Sequence, residues 1–107
     1  MTPNNVRLTP SEVEAICESF RQFFASEDHL WLFGSRTDLD ARGGDIDLYI
    51  ETSISDVDSV VERKISFVTD LYYKIGEQKI DVVLRLLFSD FYLPIYDIAK
   101  QEGVQLV

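Results

Sequence analysis

Two aspartates two positions apart, Asp45 and Asp47, open the alternating run Asp45-Ile46-Asp47-Leu48-Tyr49-Ile50-Glu51. On an extended strand their side chains leave the same face, with Cα atoms about 6.6 Å apart. Two like charges held so close are costly unless something positive sits between them. Water or a lysine can serve, and a divalent cation serves best, because hard cations seek carboxylate oxygens. Standing alone, such a pair more often marks a solvated strand end. A third carboxylate, Asp81, lies in the apolar stretch Ile80-Asp81-Val82-Val83-Leu84, where an unpaired charge is expensive. Lys79, Arg85 or a helix end can satisfy it. Placed beside the other two, it completes what a two-metal site requires.

Gly34-Ser35 adds a second kind of chemistry. It follows the apolar run His29-Leu30-Trp31-Leu32-Phe33, where the chain must turn. A glycine there lets backbone approach a phosphate closely. The N–H groups of Ser35 and Arg36 at a helix start favour an anion, and the Ser35 hydroxyl can donate to a terminal phosphate. Arg36 can grip phosphate oxygens bidentately or lie on the surface.

These residues need a scaffold, and periodicity supplies one. Thr9-Pro10-Ser11-Glu12 is a capping-box start, and apolar residues at 13, 16, 17, 20, 23 and 24 carry a helix to Ala25. Ser26-Glu27-Asp28 breaks it. The runs 29–33 and 45–51 read as strands, with a short helix over 36–41 between them. Ser55 can cap the next helix, whose stripe includes Val57, Val60, Val61, Ile65, Val68, Leu71 and Ile75, and Gly76 stops it. Lys79 to Leu84 is a third strand, a helix spans 92–102, and Val104 to Val107 is an apolar tail. The order is α-β-α-β-α-β-α in a single domain spanning 1–107.

The chain has 107 residues, 46% hydrophobic and 27% charged, enough for one core and too short for two ordinary domains. A net charge of −9 and a pI near 4.4 argue against a large basic nucleic-acid footprint. They suit a basic protein partner, or carboxylates neutralised by cations. Cys17, the lone cysteine, falls in the helical apolar stripe and reads as a small buried hydrophobe. Met1 to Ser11 lacks the apolar stretch of a secretory signal, and no run reaches a membrane span, so the expected location is cytoplasmic. His29 reads as a solvated junction residue and Trp31 as core. Phe88, Phe91 and Tyr92 fit either a helical stripe or an exposed partner surface.

Phe33-Gly34-Ser35-Arg36, then Gly44-Asp45-Ile46-Asp47-Leu48, then Ile80-Asp81-Val82 after a long helix, resemble the minimal nucleotidyltransferases of the DNA polymerase β superfamily. The motifs span residues 30 to 85, and three pieces in order on the expected elements are a specific signal. Nine residues, Arg36 to Gly44, separate Ser35 from Asp45, one fewer than the commonest form of that family and similar to its members with an Arg-Gly-Gly-Asp-Ile-Asp stretch. The resemblance implies an α+β fold, a small mixed sheet flanked by helices. It implies a triphosphate, ATP first, bound at Gly34, Ser35 and Arg36. It implies two Mg²⁺ on Asp45 and Asp47, with Asp81 ligating one ion and helping deprotonate an acceptor hydroxyl.

Small members of the family pair with a helical HEPN-domain protein (higher eukaryotes and prokaryotes nucleotide-binding) as its antitoxin, and can adenylylate a tyrosine of that toxin. The resemblance therefore implies a protein adenylyltransferase of antitoxin type. Two other readings stay open: a non-catalytic module that masks its partner, and an antibiotic nucleotidyltransferase whose site is completed in a homo-oligomer.

Overall fold

A computed structural model describes residues 6–107; the stretch Met1 to Asn5 of the expected signal-free leader lies outside them. Thr9 caps α1 (Pro10–Phe23): its hydroxyl accepts the Glu12 N–H at 3.1 Å, and the Glu12 carboxylate accepts the Thr9 N–H at 2.8 Å. The helix stops at Phe23 rather than Ala25 because the Ala25 N–H turns to the Asp28 carboxylate, 3.1 Å away. β1 (His29–Phe33) leads into a single 3-10 turn (Gly34–Thr37) and then β2 (Ile46–Thr52). α2 (Val57–Ile75) crosses to β3 (Ile80–Leu86), which is followed by α3 (Pro94–Glu102) and β4 (Val104–Gln105). The described residues thus form a small α+β fold with three helices and an open, mixed, four-stranded sheet.

The sheet order is β3-β2-β1-β4. β1 runs antiparallel to β2 and β4, while β2 and β3 are parallel and need the α2 crossover between them. Alternation along β2 decides which face is which. Ile46, Leu48 and Ile50, with Leu30 and Leu32, turn toward α1 and α2, where Ile16, Phe20, Phe24, Phe67 and Leu71 complete the main core. The Phe20, Phe24 and Phe67 rings meet at centroid distances of 5.0 to 6.2 Å. The opposite face carries Asp47, Tyr49 and Glu51. There Tyr49 stacks on Tyr96 of α3 at 5.6 Å, and Trp31 and Ala99 close a smaller cluster. Glu51, almost fully buried, accepts the Tyr49 hydroxyl at 2.8 Å and pairs with Lys100 at 3.2 Å.

Several boundaries differ from the sequence expectation, each for a local reason. The helix expected over 36–41 is the four-residue turn Gly34–Thr37, because Asp38 is already extended at φ −93 and ψ 106. Ser55 does not cap α2; the cap position is Asp56, without a side-chain hydrogen bond. α3 starts at Pro94 rather than Tyr92, since proline fits a first helical position and holds Leu93 extended. The apolar tail joins the sheet, where Leu106 N–H donates to Leu30 O at 2.9 Å and Leu30 N–H to Val107 O at 3.2 Å. Cys17 is half-buried against the main core, and burial pushes its thiol pKa up. No described helix is long and apolar enough to cross a membrane.

Candidate functional site

Phe33 pairs with Asp47 across β1 and β2, and Asp47 pairs with Asp81 across β2 and β3. Neighbouring strands lie about 4.8 Å apart, so register partners stand side by side, and Asp47 and Asp81 share one row on the sheet face that carries α3. Gly34 ends β1 in the left-handed region, at φ +75. A Cβ there would strike the Asp47 carboxylate oxygen and come within 3.2 Å of its Cγ. Only glycine meets both demands, and its backbone lies directly against the Asp47 carboxylate. Asp45 sits just before β2, next to Gly44 at φ +92, and pairs with Lys79 at 3.4 Å.

β3 is an edge strand and Asp81 is exposed on it, so it is not the buried charge its apolar neighbours suggested. What speaks for Asp81 is its place beside Asp47. The turn after Gly34 is also too short to supply a strong helix dipole, so anion binding there would rest on individual N–H groups and the Ser35 hydroxyl.

The nine-residue loop between Ser35 and Asp45 is pinned by two arginines. Arg7 donates to Asp38 O at 2.7 Å, Gly43 O at 2.8 Å and Ser35 O at 2.9 Å. Its own N–H donates to Arg36 O at 2.7 Å, and Arg36 Nη1 donates back to Arg7 O at 2.9 Å. Arg36 also reaches Gly44 O and Gln78 Oε1, both at 3.3 Å. Arg36 therefore spends its donors on the protein, shaping the loop rather than reaching into the site. Gly44 packs on Ser35, whose hydroxyl any Cβ at Gly44 would strike. Sequence reasoning missed Arg7. The available signal was that a nine-residue loop with two glycines needs donors for its carbonyls, and an arginine offers five. His29 is exposed at its junction, and Trp31 is buried beneath the Lys100 ammonium, 5.2 Å from its ring.

The electrostatics fit crowded like charges. Burial first, then Asp81 and Asp45, raise the Asp47 pKa above the ordinary carboxylate value, with Lys79 opposing. Lys79 in turn is raised, chiefly by its hydrogen bond and attraction to Asp45. Hard oxygen donors that repel one another suit divalent ions in kind. Among the described residues no three His, Cys, Asp or Glu side chains lie close enough to hold one ion as they stand. An ion here would compete with Lys79 for Asp45.

No family model matches the chain, and no curated protein matches it significantly.

One consequence concerns stability alone. A carboxyl whose folded pKa is raised opposes folding once ionised, and the effect disappears at pH values below the unfolded pKa, near 3.8. Asp47→Asn is therefore expected to raise the melting temperature of the protein in EDTA at pH 7, with the gain shrinking as pH falls toward 3. Calorimetry across that range checks it, and an unchanged or lower melting temperature at pH 7 would refute the repulsion.

Proposed function

We propose that this chain is a nucleotidyltransferase that moves a nucleoside monophosphate, AMP from ATP, to a hydroxyl acceptor. The acceptor in this reading is a tyrosine of a helical HEPN-domain partner, on which the chain acts as an antitoxin. The observation that supports it best is the row that sets Asp47 beside Asp81 on neighbouring strands, with Gly34 against Asp47 and Asp45 just before the same strand. The specific fold would be the polymerase β-like one, with which an open mixed sheet carrying helices agrees at the coarse level.

In this reading Asp45, Asp47 and Asp81 hold two Mg²⁺. Bound Mg²⁺ would supply charge neutralisation at the triphosphate and make the acceptor hydroxyl more acidic. The chain's own residues do the positioning, which dominates phosphoryl and nucleotidyl transfers. Gly34 clears room for backbone to approach phosphate oxygens, and Ser35 Oγ donates to one of them. Arg7 and Arg36 hold the loop carbonyls and so fix the loop that joins Ser35 to Asp45. Asp81, exposed on the edge strand, would take the acceptor's proton at a carboxylate oxygen.

A masking module without turnover is the second reading, favoured by the exposed apolar run Leu87, Phe88, Phe91, Tyr92 and Leu93 after β3. One experiment separates the two. The chain is co-expressed with a basic helical partner encoded beside it, purified as the complex and incubated with Mg²⁺ and α-labelled ATP. Transfer predicts label on the partner, lost with EDTA. A stable complex that never takes label leaves masking, and separate elution of the two proteins removes the antitoxin assignment from both.

A further inference from the structure

Among the described residues β3 is the outermost strand, seven residues long, with no strand on its far side. Ile46 N–H donates to Lys79 O and Leu87 N–H to Thr52 O, each at 3.0 Å. A parallel ladder alternates, so the peptide groups of Asp81, Val83 and Arg85 turn toward β2. Those of Ile80, Val82, Leu84 and Leu86 turn outward. Two outward carbonyls are already engaged: Leu84 O accepts the Tyr96 hydroxyl at 3.2 Å, and Leu86 O accepts the Ser89 N–H at 3.0 Å. Among the described residues the Val82 peptide and the Leu84 N–H have no such partner.

Along this edge α2 forms the wall of a trough. Val57 and Val61 face Leu84 and Leu86 around a cavity of about 180 Å³, which Ser89, Phe91 and Tyr96 line from the other side. Ile65 and Val68 face Ile80 and Val82 around a second, of about 340 Å³. Val57, Val61 and Ile65, one helical turn apart, remain 50%, 46% and 60% exposed. An open, apolar edge of this length is a template for another strand.

The strand's own sequence names that strand. Ile80-Asp81-Val82-Val83-Leu84-Arg85-Leu86 is complementary to itself. Laid antiparallel against a copy about a two-fold axis at Val83, Val82 meets Leu84, Ile80 meets Leu86, and Asp81 meets Arg85 on both sides of the axis. This register also sets outward peptide groups against outward ones: the Leu84 N–H meets the free Val82 O of the copy, and the Val82 N–H shares Leu84 O with the Tyr96 hydroxyl. A slip of one residue breaks that match. A slip of two keeps the ladder and loses both Asp81–Arg85 pairs. Arg85 is already held over the Tyr92 and Tyr96 rings, at 5.9 and 5.3 Å, on the same sheet face as Asp81.

We propose that the protein self-associates through β3. The two sheets join into one across a two-fold axis, and the α2 stripes at Val57, Val61 and Ile65 meet over the seam. The occupant of the trough is a second copy, because a two-fold contact must complement itself and this strand does so in shape, ladder phase and charge. The net charge of −9 on each copy opposes the approach and is screened at physiological salt. The surface stands independently of the transfer reading. Asp81 belongs to both, so pairing would bring a guanidinium of the second copy beside the third carboxylate of each site.

A charge exchange tests the register. Asp81→Arg places arginine at both positions, and Arg85→Asp places aspartate at both. Each variant alone is expected to be monomeric by sedimentation velocity at a concentration where the wild type has the mass of two chains. Mixed together, they are expected to form a heterodimer, since every Arg then faces an Asp. A wild type that stays monomeric at high micromolar concentration overturns the proposal, as does a single variant that dimerises like the wild type or a mixture that does not pair. Should either variant fail to fold, the exposed Ile65→Lys serves, expected to keep its circular dichroism and lose the dimer. In the wild type, amide exchange at Val82 and Leu84 is expected to slow as concentration rises, and exchange independent of concentration counts against the edge.

Discussion

Asp47→Asn is expected to remove Mg·ATP affinity and label transfer together, whereas Asp81→Asn is expected to leave affinity within a few-fold and cut transfer by about 10²-fold or more, the usual scale for losing an acid–base or metal-activating group. The difference follows from position. Asp47 is half-buried, flanked by the Gly34 backbone and by Asp81, so in the proposed reading an ion carried by a triphosphate at this turn would meet it first. Asp45 precedes the same strand and its carboxylate is matched by Lys79, so Asp45→Asn should follow Asp47→Asn, moderated because the freed ammonium can meet a phosphate instead. Asp81 stands on the edge strand, toward the open side where an acceptor would arrive. Titration calorimetry with and without EDTA gives the affinities, and initial rates with α-labelled ATP give the transfer, each variant assayed at a concentration where its oligomeric state is known. Transfer at the wild-type rate by Asp81→Asn would make that residue structural and send the search for a third carboxylate elsewhere.

Which parts were legible in the sequence depends on how local their causes are. The capping box at Thr9 and Glu12 is written within four residues, and the structure forms both of its hydrogen bonds. Alternation from Asp45 to Glu51 places Ile46, Leu48 and Ile50 in the core and leaves Asp47 on the other face, because a strand has period two whatever its neighbours do. Strand order is not local. Nothing in Ile80-Asp81-Val82-Val83-Leu84 says that it lies at an edge, so a run that read as buried on both faces has an exposed aspartate instead. The final residues joined β1 for an equally distant reason, the backbone groups of Leu30 that needed partners. Arg7 and Arg36 illustrate the same limit in the site: the arginine beside the glycine turn is spent on the loop, and the one that grips the loop comes from 28 residues upstream of Ser35.

Asp28 is the residue whose importance was least visible, since Ser26-Glu27-Asp28 reads only as a helix break. It is 1% exposed, and both carboxylate oxygens are occupied. One accepts the Ala25 N–H at 3.1 Å and the Thr52 hydroxyl at 2.7 Å; the other accepts the Ser53 N–H at 2.9 Å and its hydroxyl at 3.1 Å. A single side chain thus ties the end of α1 to the end of β2, far along that strand from Asp45 and Asp47. Asp28→Ala strands the fully buried Thr52 hydroxyl and removes the acceptor of the partly buried Ala25 and Ser53 amide hydrogen bonds, at about 1–3 kcal/mol for each donor that finds no new partner. The expected loss is about 3 kcal/mol or more, a large share of the roughly 5–15 kcal/mol that holds a domain together. Urea unfolding should show a lower midpoint with an unchanged slope. Asp28→Asn keeps one acceptor oxygen and should fall between the two. Because the hub lies at the opposite end of β2 from the carboxylates, Mg·ATP affinity measured well below the melting temperature should stay within a few-fold of the wild type. A stability loss under about 1 kcal/mol would mean that water satisfies the stranded donors, and a parallel collapse of affinity would mean that the two ends of β2 are coupled.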